Sequence, residues 1–501
     1  MVLESLKGDW VLSMKSVKCC IGAATVAALS AVAMGQDYNG GAYCPILGPG
    51  PDVTLCEAYG FGSTGRVNGG NLSGAATGFT LGTTSWNVGQ AQLLWEQMPD
   101  PDHPKITVQV YRLKDGRFEN IANHWIKHGF FALSSQQCSD AALSNCQGTN
   151  GTRLGLACTD TYSPGLNAGS LGPRYEVNPW SGAWSYTGSI HQTGGRPNYT
   201  GATNMQLPDA DVNPALNPGA RYFFEAYYVS GDDICVYNNA SYKEFFVNSF
   251  GGSGPSVSEE SDRFTPPHQM FAILDAWTGA TLTEIAEQIP VVEGVSPDGR
   301  AIVGCNVTDL GGGQWRYDYT IMNVDMDRQI DQFWIDLRPN VNVTDLYFHA
   351  PLSHEETLTY EFSNASQGPP RDNDAWTGVV ETDKVRWFTD AHQAGVSSNP
   401  IGWGTAYSFG FTADTAPKSG SMGVTAYKDG TVIAGATPTP DAGAAPNCPG
   451  DTNGDNVVDL TDLNNVLFNF GSAGPLGDVD GSGLVDLTDL NLVLFNFGNV
   501  C

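Results

Sequence analysis

In Ile106-Thr107-Val108-Gln109-Val110-Tyr111-Arg112-Leu113 the apolar Ile106, Val108 and Val110 alternate with Thr107 and Gln109, and Lys114-Asp115-Gly116-Arg117 follows directly. A period of two is the signature of a β-strand, and Asp-Gly is the dipeptide a tight hairpin turn needs. Arg221-Tyr222-Phe223-Phe224-Glu225-Ala226-Tyr227-Tyr228-Val229 reads as a second strand, closed by Ser230-Gly231-Asp232-Asp233. With 60 Gly and 29 Pro in 501 residues, most of the chain has no helical period. Residues 37–250 are therefore expected to form a β-rich domain.

Gly251 to Glu260 (GGSGPSVSEE) reads as a linker by composition, extended here to residues 251–263. A second β unit is expected over residues 264–436. Its strands include Ala301 to Cys305, Trp315 to Ile321, Phe333 to Leu337, Trp403 to Phe411 and Met422 to Tyr427. Short antiparallel strands at this spacing predict a sandwich of immunoglobulin-like or fibronectin-like kind. Thr281 to Gln288 is the one stretch there expected to be a short helix. Ala434 to Pro446, with residues 437–447 as its core, reads as an extended tether. The fold class is mainly β: two antiparallel β-sandwich-like units followed by a small α-helical calcium-binding module at 448–501.

That last segment is written twice, 27 residues apart. Asp451, Asn453, Asp455, Val457, Asp459 and Asp462 occupy positions 1, 3, 5, 7, 9 and 12 of the first twelve-residue loop. Asp478, Asp480, Ser482, Leu484, Asp486 and Asp489 occupy them in the second. Those positions supply side-chain oxygens, with a backbone carbonyl at position 7, to a hard cation of the Ca²⁺ type, so two ions are expected. A donor set of oxygen alone argues against zinc or copper. Leu463, Val466, Leu467 and Phe470, and again Leu490, Val493, Leu494 and Phe497, recur at helical spacing. Each loop should therefore start a short amphipathic helix. Eight Asp with no Lys, Arg or Glu repel one another, so folding is expected to be coupled to metal binding.

Duplicated loop–helix repeats with Asp at position 12 and no preceding helix resemble the type I dockerin module. The resemblance implies calcium-dependent folding, a cohesin partner and a link to extracellular polysaccharide metabolism. Dockerins that serve cellulosomes carry Ser/Thr pairs after position 9, whereas this chain has Leu460-Thr461 and Leu487-Thr488. The calcium site carries over to these residues; the cohesin-facing residues do not.

Lys15 and Lys18 precede an apolar run from Cys19 to Ala33 that ends Ala31-Val32-Ala33. This predicts a secretory signal over residues 1–35, starting at Met1 or Met14, and an extracellular or cell-surface location. No other stretch is expected to span a membrane. The 24 basic against 53 acidic residues, net −29, exclude nucleic acid and anionic membrane as partners. Export favours disulfides. Cys44–Cys56 and Cys448–Cys501 are the expected pairs, and the odd count after cleavage leaves one thiol over.

Catalytic signatures are missing: there is no G-x-S-x-G, H-E-x-x-H, P-loop or dinucleotide fingerprint. His124 and His128 are four apart and form a weak metal candidate. Glu176, Glu225, Asp232, Asp233, Glu355 and Glu356 are candidate carboxylates for a glycoside hydrolase, each read primarily as a solvated loop residue. Trp180, Trp184, Tyr186 and Tyr199 form an aromatic cluster suited to stacking on sugars. The sequence thus favours a secreted, non-catalytic, calcium-binding component. A polysaccharide-degrading enzyme and a carbohydrate-binding protein with the same appendage are the alternatives.

Overall fold

A computed structural model describes residues 50–138, 145–260, 268–269, 273–286, 298–338, 341–353, 371–440, 449–453, 457–473, 476–480 and 482–499. The expected signal segment, Cys44, Glu355, Glu356, Cys448, Asp455 and Cys501 lie outside them. The described chain is mainly β, built from four antiparallel sheets and a two-stranded ribbon.

The first sheet centres on Ala76–Asn87, which pairs with Val53–Arg66, Met205–Pro208 and Thr159–Tyr162. In the second, Arg221–Val229 lies between Lys105–Lys114 and Ala240–Gly251, with Phe224 opposite Val110. Strand alternation sends Val108, Val110, Phe224, Ala226 and Tyr228 toward the first sheet. There they pack with Val53, Leu55, Phe79 and Leu81. The Asp-Gly hairpin forms as its sequence dictates. Asp115 and Gly116 both take the left-handed conformation that a two-residue turn requires, and Arg117–Asn123 returns beside Lys105–Lys114.

The opposite face of this second sheet is also covered. Tyr111, Phe118, Phe223 and Tyr227 pack against Trp277, Met322, Trp403 and Ala406. Lys105 to Tyr111 are consequently all buried, although the strand's apolar residues alternate with polar ones. The third and fourth sheets form a second sandwich. Arg300–Gly311, Gln314–Asn323 and Thr405–Ala413 face Ile330–Asp336, Lys384–Phe388 and Pro417–Ala426. Between them lie Val303, Tyr319, Ile321, Phe333, Trp387, Phe409 and Val424. The Phe118 carbonyl accepts from Ser408 Oγ at 2.8 Å, and Arg117 bonds Asp318 at 2.8 Å, so polar contacts accompany the shared apolar layer.

Three expectations about connections are corrected. Gly254–Glu259 is a strand paired with Ala240–Gly251, so the Gly251 to Glu260 stretch is a hairpin arm rather than a linker. Its Gly and Ser serve the turn, and Gly254 has φ 93°. Thr281–Ala286 is a strand on Arg300–Gly311, not a helix, because its Thr and Ile side chains favour a pleated surface. Val432–Pro440 pairs with Pro417–Ala426 and buries Thr437 and Thr439, so the sandwich continues through Pro440 where a tether was expected.

The cysteines also pair otherwise. Cys56 is joined to Cys138, not Cys44, and Cys146 to Cys158. Cys235 is disulfide-bonded as well. Cys305 is the free, buried thiol among the described residues.

Candidate functional site

The C-terminal module holds helix α1, Leu460–Phe468, and helix α2, Leu487–Asn496. Asp459 and Asp486 cap them, and the Asp three residues on completes a capping box in each. Loop positions 9 and 12 therefore do double duty, starting the helix and closing the loop.

Asp462 and Asp489 are both fully buried. Asp462 Oδ1 accepts from the amides of Thr452 (2.6 Å) and Asn453 (3.2 Å), and its Oδ2 from the amide of Asp459 (2.8 Å). Asp489 repeats this with the amides of Val479 (2.7 Å), Asp480 (3.1 Å) and Asp486 (2.8 Å). In the second loop the Ser482 and Gly483 amides bond Asp478 at 3.0 and 2.7 Å, and Ser482 also bonds Asp480 at 2.9 Å. The Ser482 hydroxyl first, and its amide second, hold the Asp480 carboxyl below its usual range. Oxygens of Asp478, Asp480 and Asp489 all lie within 4.8 Å of one another. Three converging carboxylates could hold a metal ion. Asp486 lies outside that trio and accepts from Thr488 N at 2.7 Å, and Ser482 Oγ donates to the Leu484 carbonyl at 3.1 Å. In the first loop Asp451, Asn453, Val457, Asp459 and Asp462 are described.

The module's core differs from the expected stripe. Val458, Val466, Val485 and Val493 are fully buried, with Leu463, Val479 and Leu490 against them. Leu467, Phe470, Leu494 and Phe497, expected to be inside, are about half exposed. Position 8 of each loop, Val458 and Val485, takes their place. The amide of Val458 donates to Asn499 O (2.9 Å), and that of Val485 to Ser472 O (2.9 Å), so each loop pairs with the other repeat's tail. The same exchange explains two glycines. A Cβ on Gly450 would meet Leu492 O at 2.9 Å, and one on Gly477 would meet Asn465 O at 2.8 Å. Both have positive φ.

The β body contains ionisable groups that the sequence reading placed in solvent. Glu225 is fully buried and accepts from Gln109 and from Ile273 N (2.6 Å); burial pushes its carboxyl up to about 7. Asp233 lies against Asp52, a residue the sequence did not single out, and burial raises both. Glu176 accepts from Ile190 N at 2.9 Å and is raised to about 7 by burial, and Asp232 accepts from Leu94 N at 3.0 Å. These carboxylates hold up loops and strands.

His124 and His128 do not converge. His124 Nδ1 is 2.6 Å from Trp125 O, while His128 Nδ1 meets His103 Nε2 at 2.7 Å. His191 stacks edgewise on His128, and burial lowers His103 to about 3 and His191 to about 4, so these imidazoles are neutral at pH 7. Trp184 is buried against the same rings instead of forming an open platform with Trp180, and Tyr186 is the exposed member of the expected aromatic cluster.

No family model matches the chain, and no curated protein matches it. Among the described residues no helix is long and apolar enough to cross a membrane.

Proposed function

We propose that this is a secreted, non-catalytic protein whose C-terminal module binds two Ca²⁺ ions and docks it, in dockerin fashion, onto a protein partner of the cohesin kind. On this reading the β body is the cargo and the setting is extracellular polysaccharide metabolism. The observation that supports it most is the equivalence of the two loops. The same buried Asp, bonded by the same three amides, recurs 27 residues on, beside a trio of convergent carboxylate oxygens. No basic residue lies anywhere in the module to neutralise them, and a divalent cation does what a Lys or Arg would otherwise do.

The docking face suggested by the same equivalence is apolar. Phe468 and Phe495 occupy matching positions and are 86% and 85% exposed, flanked by Leu467 and Leu494. Exposed apolar side chains in such symmetric array mark an interaction surface. Titrating the calcium-stripped full-length protein by calorimetry tests the reading. Uptake of about two Ca²⁺ per chain with a gain of helical circular dichroism is expected; no uptake, or helices indifferent to chelator, overturns it.

A further inference from the structure

A cavity of about 100 Å³ opens where the two sandwiches meet, walled by Asn123 and Arg174 from the first and by Gln329, Arg371, Asp372 and Trp403 from the second. At roughly 10–15 Å³ per water it has room for several waters or one monosaccharide-sized ring. Its polar groups are of two kinds. Arg174 is saturated: its nitrogens donate to the carbonyls of His124 (3.0 Å), Gly404 (2.7 Å) and Val108 (2.9 Å), tying the sandwiches together.

Arg371 is different. Among the described residues its guanidinium makes no hydrogen bond or ion pair, and it lies over the Tyr427 ring, 5.3 Å from the centroid. The one carboxylate on the wall, Asp372, accepts instead from the amide of Asp374 at 3.0 Å. Gln329 is 3% exposed, yet among the described residues its Oε1 has no hydrogen-bond partner, and Asn123 Oδ1 on the same wall has none either. In a chain of net charge −29, this pocket presents two guanidiniums, and that of Arg371 has no hydrogen-bond partner among the described residues.

Buried polar groups are as a rule hydrogen-bonded. Two buried oxygens without a partner beside a half-buried guanidinium, all on one cavity wall, ask for a ligand with complementary atoms. Arg371 calls for an anion, and a carboxylate matches its forked donors. The free oxygens of Gln329 and Asn123 call for donors, which hydroxyl groups supply and a sulfate or fully ionised phosphate lacks. We propose that this cavity binds a small hydroxylated carboxylate of the sugar-acid class, with the acid group on Arg371 and hydroxyls on Gln329 and Asn123. The inference is independent of the calcium module.

The test uses the full-length protein with D-glucuronate and D-galacturonate as probes, and glucose and sulfate as controls. At least one sugar acid should bind by calorimetry and raise the melting temperature, with glucose and sulfate at least tenfold weaker. Arg371→Met should lose at least tenfold in affinity while melting no lower than the parent without ligand, because the half-buried guanidinium it removes holds no hydrogen bond among the described residues. Gln329→Leu should lose a comparable factor, and it decides the matter if the Arg371 variant does not fold. The proposal falls if neither sugar acid binds, if sulfate binds as tightly, or if both variants bind like the parent. A lower unliganded melting temperature for Arg371→Met would make that residue structural and also overturn it.

Discussion

The sandwiches and the C-terminal module handle buried charge in opposite ways. In the β body, away from the Arg371 cavity, buried ionisable groups find partners in the same chain: Arg174 on three carbonyls, Glu225 on an amide and a carboxamide. In the module, Asp462 and Asp489 are equally buried, but the surrounding charge is all negative. Backbone amides orient these carboxylates without neutralising the acids around them. The lesson is that one part meets its buried ionisable groups with polar partners from its own chain, while on the proposed reading the other takes its counter-charge from the medium.

The largest expected effect follows from that difference. A chelator should abolish the helical signal of α1 and α2 while the main thermal transition of the β body stays in place. Merging of the two responses would erase the contrast. Next, Asp489→Ala strands the amides of Val479, Asp480 and Asp486. At about 1–3 kcal/mol for each orphaned donor, the module should be lost at any calcium concentration. Proteolysis of the C-terminal segment reads this directly, and a variant as resistant as the parent would show that the buried carboxylate is dispensable.

A smaller effect, in the β body, concerns pH. The Glu225 carboxyl is raised by burial from 4.5 to about 7. Its stabilising contribution is therefore complete below pH 4.5 and is lost as pH rises through 7, by about 3 kcal/mol in all. Melting temperature followed from pH 4.5 to 8.5 should fall, and Glu225→Gln should flatten the fall. An unchanged slope would show that other acids carry it. Smaller again, Gly477→Ala forces a Cβ against Asn465 O at a positive φ and should cost the module about 1–3 kcal/mol. Calcium affinity should drop with it, while the sandwiches melt as before.

Local chemistry was readable wherever the code is local. The strand Ile106 to Leu113, its Asp115-Gly116 turn and the strand from Arg221 stand where residue spacing put them, as do the two short helices after the Asp-rich repeats. The order of strands within the sheets was not readable, nor was the burial of both faces around Tyr111 and Phe223, since one period-two pattern serves one or two covered faces. Gly and Ser in Gly251 to Glu260 misled because the same residues make linkers and hairpin turns. The helical stripe predicted Leu467 inside, but helices this short have room beneath them for one valine each and for the valine of the opposite loop. The cavity lined by Asn123, Gln329 and Arg371 had no sequence signal at all, because its walls come from segments some two hundred residues apart.

The crossed pairing of Val458 with Asn499 and of Val485 with Ser472 has a consequence for how such a unit arises. A lone repeat has an unpaired loop edge and an unpaired tail, and the complement of each is found in another copy of itself. An ancestral half would thus assemble as a symmetric dimer, and fusing two halves in tandem converts that association into a single-chain fold whose halves stand or collapse as one.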